Sequence, residues 1–193
     1  MQDFWLFFQL GFEHIADLAG YDHIIFVLAL CLRYTFDDWK RIVVLITAFT
    51  VGHSVTLALS TLNYINVPAD WIEFLIPVTI VITALSNIRQ KEFRFRTRFP
   101  PIYFLALFFG LIHGLGFSNY LKSLLGKDTN IIPQLLAFNL GLEVGQLLIV
   151  ALVLIVSLIC IRFLNFQRRE YLLYGSGAVF GIALIMALER FPK

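Results

Sequence analysis

Four histidines lie in or beside long apolar stretches of this chain: His14, His23, His53 and His113. An ionisable side chain at the centre of a membrane-spanning helix costs roughly 2.5 to 3.5 kcal/mol on insertion scales, so such a residue needs a partner or a function. Neutral imidazole is a good ligand for zinc, nickel, copper and iron. The histidines therefore predict a transition-metal site within the apolar part of the protein.

Two carboxylates and two amides accompany the histidines. Asp22 directly precedes His23, and Glu143 lies in the fifth long apolar stretch. A carboxylate from Asp22 or Glu143 would complete a mixed nitrogen and oxygen metal site. Asn139, Glu143 and Gln146 are spaced i, i+4 and i+7, which places them on one stripe of a helix. We expect the amides of Asn139 and Gln146 to orient the metal ligands through hydrogen bonds.

The same residues allow a different chemistry. Three histidines and an aspartate could hold zinc and leave one position for water, whose pKa the metal lowers to about 7. Glu143 or Asp22 would then act as general base, and Ser54 lies beside His53. The residues thus leave open a zinc-dependent hydrolase or acyl-transfer enzyme that acts on a lipid or lipid-linked substrate.

A hydrogen-bonded network without any ion is the third interpretation of these polar residues. In that case the histidines would serve packing alone, as a single histidine within a membrane often does. Ser54 in particular is expected to donate to a backbone carbonyl one turn back in its own helix. Whether His14 is a direct ligand is left open by the residues.

The composition requires that these side chains be held in a membrane. The chain is 59% hydrophobic and 15% charged, and its mean hydropathy is +0.81. These values exclude an ordinary soluble domain. Apolar stretches of about 20 residues, the length that crosses a hydrocarbon core of roughly 30 Å, recur along the chain. We therefore expect a single integral membrane domain over residues 1–193.

An all-α, polytopic helix bundle with about six transmembrane helices is predicted. The first eighteen residues are too short to cross and are expected to form an interfacial or re-entrant helix. The fifth crossing is longer than a perpendicular helix needs and should tilt. Small-residue pairs at Gly110 with Gly114 and at Gly141 with Gly145 predict close helix packing. The predicted crossings are 21–34, 41–62, 69–88, 101–124, 131–163 and 171–189.

The basic residues predict the orientation of the bundle. Most of the 15 Lys and Arg residues lie in loops on one side, so both termini are expected on the outer side. His53, His113 and Glu143 then lie about thirteen residues into their helices, in the middle or outer half of the bilayer. Because the basic residues are spread over short loops, a nucleic-acid partner is not expected.

The polar residues occur in four sequence contexts that are found together in one family. The contexts are Gly11-Phe-Glu-His14 through Gly20-Tyr-Asp22-His23, Phe49-Thr-Val-Gly-His53-Ser54-Val-Thr56, Phe109-Gly-Leu-Ile-His113-Gly-Leu-Gly116, and Phe138-Asn139-Leu-Gly-Leu-Glu143-Val-Gly-Gln146. They extend over nearly the whole chain and resemble the HupE/UreJ family of bacterial membrane proteins. The H-x5-D-H element of its nickel-permease branch has seven intervening residues here, and the later element has one histidine fewer and lacks its acid. The chain thus resembles a divergent branch.

The resemblance implies a multi-pass protein of the bacterial inner membrane, found with hydrogenase or urease gene sets and regarded as a nickel permease. The positions that it implies as functional are His14, Asp22, His23, His53, His113, Asn139, Glu143 and Gln146. Its partners are expected to be a metal ion, nickel or zinc, and the lipid bilayer; a soluble protein partner is not indicated. In the inner halves of the helices the sequence offers a passing ion little beyond Ser86 and Asn87.

Overall fold

The computed structural model describes residues 2–18, 20–91, 93, 101–125 and 131–192, and over these ranges the regular structure is entirely helical. The all-α prediction is therefore confirmed. The helices are α1 (Gln2–Ala16), α2 (Asp22–Cys31), α3 (Trp39–Thr61), α4 (Ala69–Arg89), α5 (Pro101–Gly116), α6 (Ser118–Leu125), α7 (Ile132–Leu158) and α8 (Arg168–Glu189). A 3₁₀ turn, Phe36–Asp38, leads into α3, and a π-helical turn, Ile159–Phe163, extends α7.

Four of the described helical segments are long and apolar enough to cross a membrane: Phe36–Thr61, Ala69–Arg89, Ile132–Phe163 and Arg168–Glu189. A fifth crossing exists if α5 and α6, which meet at 47°, count as one. The predicted first crossing contains only α2, whose 10 residues extend about 15 Å, half of a hydrocarbon core. The described residues thus give four or five candidate crossings, and the predicted count of six and the outward termini are not confirmed.

The predicted crossing 101–124 is not a straight helix. It breaks between Gly116 and Ser118, three residues after His113. Glycine is a poor helix former, and Ser118 donates its hydroxyl proton to the carbonyl of Leu115 at 2.8 Å. The bend places His113 at the end of α5 and not in the middle of a continuous span.

Helices α3 and α5 pack with their backbones in contact. A Cβ added to Gly110 would overlap the carbonyl oxygen of Phe49, and one added to Gly114 would overlap that of His53. Gly52 of α3 faces the backbone of α5 in the same way, against Leu107. This confirms the predicted close packing and positions both His53 and His113.

Helix α1 also packs against α7 with the two backbones in contact. A Cβ on Gly11 would overlap the carbonyl oxygen of Phe138, while Gly145 further along α7 faces Ile15 further along α1. The two helices therefore run in the same direction. Gly141 lies at the same contact, since a Cβ added to it would overlap the carbonyl oxygen of Phe8. The second predicted small-residue pair, Gly141 with Gly145, is therefore also confirmed.

Helix α2 runs antiparallel to α8. It begins at Asp22, beside Arg190 at the end of α8, and it is followed by Arg33, whose carbonyl accepts a hydrogen bond from Arg168 at the start of α8. We refer to these two ends of the bundle as the Arg190 end and the Arg33 end. Because α7 and α8 are joined by a short turn and are antiparallel, α1 and α2 run in the same direction.

Candidate metal centre

Three histidines from three helices meet inside the bundle. One ring nitrogen each of His14 on α1, His23 on α2 and His53 on α3 lies within 4.8 Å of the others. The ring centroids are 4.6 Å apart for His14 and His23 and 6.1 Å apart for His14 and His53. Two nitrogens on one tetrahedral ion lie about 3.3 Å apart, given metal–nitrogen bonds of about 2.0 to 2.1 Å. The rings therefore need to approach by no more than about 1.5 Å.

These ring nitrogens have no other bonding partner among the described residues. The Nε2 atoms of His14 and His23 and both ring nitrogens of His53 are buried without a hydrogen bond. A buried polar atom without a partner costs about 1 to 3 kcal/mol, and native proteins contain few of them. A metal ion would satisfy one nitrogen of each ring at once, so this donor set fits a transition metal.

Asp22 acts on the cluster through His23. One carboxylate oxygen of Asp22 lies 3.0 Å from Nδ1 of His23, and the other lies 3.2 Å from Nη1 of Arg190. A carboxylate in this position fixes the orientation of the ring and leaves Nε2 available for a metal. Asp22, which the sequence predicts as a ligand, is thus in contact with the candidate ligand His23. The sequence gives no sign of this contact, because Arg190 is simply one of the few basic residues on the side of the bundle that has fewer of them.

His113 lies beside the group of three and is not a member of it. Its ring centroid is 5.2 Å from that of His23, and its Nε2 lies 3.0 Å from the hydroxyl oxygen of Thr79 on α4. Its Nδ1 has no partner among the described residues. The rings of Phe26 and Phe49 pack against it at 4.9 and 5.2 Å. Thr79, a hydroxyl in an apolar span, gives no sequence signal of this role.

The predicted polar stripe of α7 faces other partners. Glu143 accepts a hydrogen bond of 2.8 Å from Thr47, and Asn139 donates one of 2.8 Å to the carbonyl of Leu135. Gln146 accepts one of 2.7 Å from Thr50. Glu143 was expected to bind a metal together with the histidines. Among the residues that the structure describes, it is not part of the group His14, His23 and His53, and its hydrogen bond is to Thr47.

Ser54 is turned into its own helix. Its hydroxyl donates to the carbonyl of Thr50, four residues back, at 2.7 Å. The predicted back-bond is confirmed, and the hydroxyl proton of Ser54 is not directed at the histidines.

Two cavities reach the histidines. One, of about 420 Å³, is lined by His14, His23 and His113 together with Asp17, Glu73 and Arg190, so it extends to the Arg190 end. The second, of about 610 Å³, lies between α1 and the bend between α5 and α6, and it also reaches His14. Its walls are mostly apolar and include Leu10, Phe12, Leu18, Phe117 and Tyr120.

Polar contacts fill the space between α2 and α4 at the Arg33 end. The buried Arg33 donates from Nε to the side-chain oxygen of Asn87 and, at 2.8 Å, from Nη2 to Ser86. Asn87 in turn donates to the carbonyl of Ala29 at 2.7 Å. The two inner polar groups that the sequence offers to a passing ion are thus both bound by Arg33.

Comparison with known proteins adds one result to this geometry. The family model described as HupE / UreJ protein matches residues 1–190. Comparisons with curated proteins and with solved structures gave no match. Because the match extends over nearly the whole chain, the protein belongs to the HupE/UreJ family, as its four polar segments predicted.

Proposed function

We propose that the protein is a permease that carries a nickel-like divalent metal ion across the bacterial cytoplasmic membrane. The observation that supports this most is the group formed by His14, His23 and His53, which has buried ring nitrogens without a hydrogen bond. Two of its members, His14 and His23, line a cavity that also reaches Arg190. Asp17 and Glu73 give that cavity acidic walls, which attract a cation. Membership of the HupE/UreJ family supports the same function.

In this proposal the Arg190 end faces outward, and the chain crosses six times. Arg33, Arg89, Arg162, Arg168 and Arg169 lie at or near the opposite end, which the positive-inside rule places in the cytoplasm. Helices α1 and α2 run in the same direction and form one crossing, interrupted between the end of α1 at Ala16 and the start of α2 at Asp22, while α5 and α6 form a bent one. Broken helices that meet near the centre of the bilayer are typical of transporters.

The arrangement of cavity and contacts corresponds to a carrier open to the outside. The 420 Å³ cavity connects the histidines with the Arg190 end. At the other end, Arg33 bridges α2 to Asn87 and Ser86 of α4. Release to the cytoplasm requires a rearrangement that opens the inner side.

A zinc-dependent hydrolase or acyl-transfer enzyme is the second candidate. The cavity of about 610 Å³ favours it, because its apolar walls beside His14 could admit a lipid chain. Two of the three catalytic groups predicted for such an enzyme are engaged elsewhere, since Ser54 bonds Thr50 and Glu143 bonds Thr47. Asp22 is left as its general base, held between His23 and Arg190. The geometry therefore supports transport better.

Metal analysis of the detergent-purified protein, before and after dialysis against a chelator, separates the two candidates. A permease is expected to hold about one ion per chain, lose it to the chelator and regain it when nickel is added, because a carrier must release its cargo. The His53→Ala variant is the control and should contain little metal in either state. Zinc that survives dialysis in the wild type and depends on His53 would contradict transport and favour the enzyme.

A further inference from the structure

Two hydrogen bonds join α3 to α7 away from the histidines. Thr47 donates to Glu143 at 2.8 Å, and Thr50 donates to Gln146 at 2.7 Å. Thr50 and Thr47 precede His53 by three and six residues, which is about 4.5 and 9 Å along α3 toward its beginning at the Arg33 end. The two threonines therefore lie on the inner side of His53, and the four side chains form one oxygen-rich patch between α3 and α7.

Gln146 lacks a partner in this patch. Its side chain is fully buried, and its amide nitrogen has no hydrogen bond among the described residues. The single hydroxyl proton of Thr50 is also within reach of the carbonyl of Ile46, at 3.1 Å. If the amide turns over, its nitrogen can donate to Thr50 and the carbonyl oxygen becomes the unpartnered atom. In both orientations one buried amide atom is left for a further group.

Glu143 lacks a positive partner. Its carboxylate is half-buried, and among the described residues its one hydrogen-bond partner is Thr47. No basic side chain of the described residues forms an ion pair with it. A carboxylate in an apolar span is stabilised by a cation or by an equivalent partner. With the amide of Gln146 turned over, one cation would be a partner for both its carbonyl oxygen and the carboxylate of Glu143.

We propose that Glu143, Gln146, Thr47 and Thr50 form a second cation site, which takes the divalent metal ion after it leaves the histidines. This inference rests on the proposed transport function. The site offers only oxygen ligands: a carboxylate, an amide carbonyl and two hydroxyls. Such ligands hold nickel or zinc less tightly than imidazole does. A weaker site beyond a stronger one favours onward movement, because conduction requires that an ion can leave each site.

The first test separates metal binding from transport. The Glu143→Gln variant is expected to bind nickel at the histidines with an affinity within about threefold of wild type, while radioactive nickel uptake into proteoliposomes falls by about tenfold or more. Glu13→Gln is the matched control, because Glu13 is an exposed carboxylate bonded to Gln9 on α1. It should change neither quantity. Wild-type uptake by Glu143→Gln would overturn the second site and leave the histidine permease intact.

A second pair of variants covers the case in which Glu143→Gln does not fold. Thr47→Val removes the hydroxyl and keeps the shape, whereas Thr47→Ser keeps the hydroxyl. Uptake is expected to fall in the valine variant and to stay near wild type in the serine variant. Equal uptake in the two variants would contradict a role of the Thr47 oxygen at the site.

A binding measurement tests the second site without transport. In a His53→Ala protein, residual weak nickel binding is expected, and it should disappear when Glu143→Gln is added. If the wild type showed no uptake, the permease would be contradicted, yet this residual binding would still report on the second site. Two results together would contradict a divalent metal ion as the occupant of the second site. The residual nickel binding would be the same with and without Glu143→Gln, and uptake would depend on both sodium and Glu143.

Discussion

His53→Ala is expected to lower the affinity of the purified protein for nickel by about a hundredfold or more, because a metal-binding free energy on the order of 10 kcal/mol is shared among three or four ligands. His53 is fully buried, and neither of its ring nitrogens has another partner among the described residues. Alanine therefore removes a ligand without breaking a hydrogen bond. Competition titration against a chelator of known affinity measures the change.

The neighbouring histidine gives a graded control for this experiment. His113 is held through Nε2 by Thr79 and lies outside the group of three, so His113→Ala should weaken nickel binding by about tenfold, the effect of a supporting group. Each variant removes a fully buried ring and is expected to lower the melting temperature, so the affinities are compared at a temperature at which both variants remain folded. An equal loss in both variants would place His113 among the ligands, and no loss in His53→Ala would contradict the site.

Gly110→Ala is expected to lower the melting temperature by about 2 to 12 °C, since overpacking costs about 1 to 3 kcal/mol and 1 kcal/mol shifts a domain of this size by about 2 to 4 °C. The added methyl group would overlap the carbonyl oxygen of Phe49, a backbone atom that cannot turn aside. Because α3 and α5 must separate to admit it, His53 and His113 should shift as well. Nickel affinity is therefore expected to fall along with stability.

Helix α8 supplies a matched control for this substitution. A Cβ on Gly177 or Gly181 of α8 meets no atom within 4 Å. Alanine is also the better helix former by up to about 1 kcal/mol. Gly177→Ala and Gly181→Ala should therefore leave the melting temperature unchanged or raise it slightly. If Gly110→Ala melted at the same temperature as these two, the backbone contact between α3 and α5 would be contradicted.

The polar site residues and the close helix contacts are predictable because the residues that form them, ionisable side chains and pairs of glycines, stand out in an apolar helix. An ionisable side chain in hydrocarbon is costly, so His14, His23 and His53 are conspicuous among their apolar neighbours in the sequence. Glycines spaced four apart allow close backbone approach, and both predicted pairs lie at such contacts. These are local properties of single helices, and periodicity is sufficient to reveal them.

The partners across helices are not predictable in the same way. The spacing of Glu143 and Gln146 places them on one stripe of α7, yet it does not show that the stripe meets Thr47 and Thr50 of α3. A threonine in a span is common and gives no signal of its own. The sequence therefore predicts one polar centre where the structure has the histidine group and a separate hydrogen-bonded patch on α3 and α7.

The breaks in the helices are also hidden from the sequence. Residues 101–124 have the length and hydropathy of one crossing, and their bend depends on Gly116 and on the hydrogen bond of Ser118. The first eighteen residues are expected to form an interfacial or re-entrant helix because they are short, and the sequence does not show that α1 packs on α7 through Gly11. Length and hydropathy describe a segment alone, whereas these features arise from its neighbours.

The most direct test of the account is nickel uptake by the purified protein in sealed proteoliposomes, compared with the His53→Ala variant and with empty vesicles. Uptake is expected to saturate with nickel concentration in the wild type and to fall to the level of empty vesicles in His53→Ala. Wild-type vesicles that bind nickel without accumulating it inside would contradict transport. Equal accumulation in wild type and variant would show that the three histidines do not carry the ion.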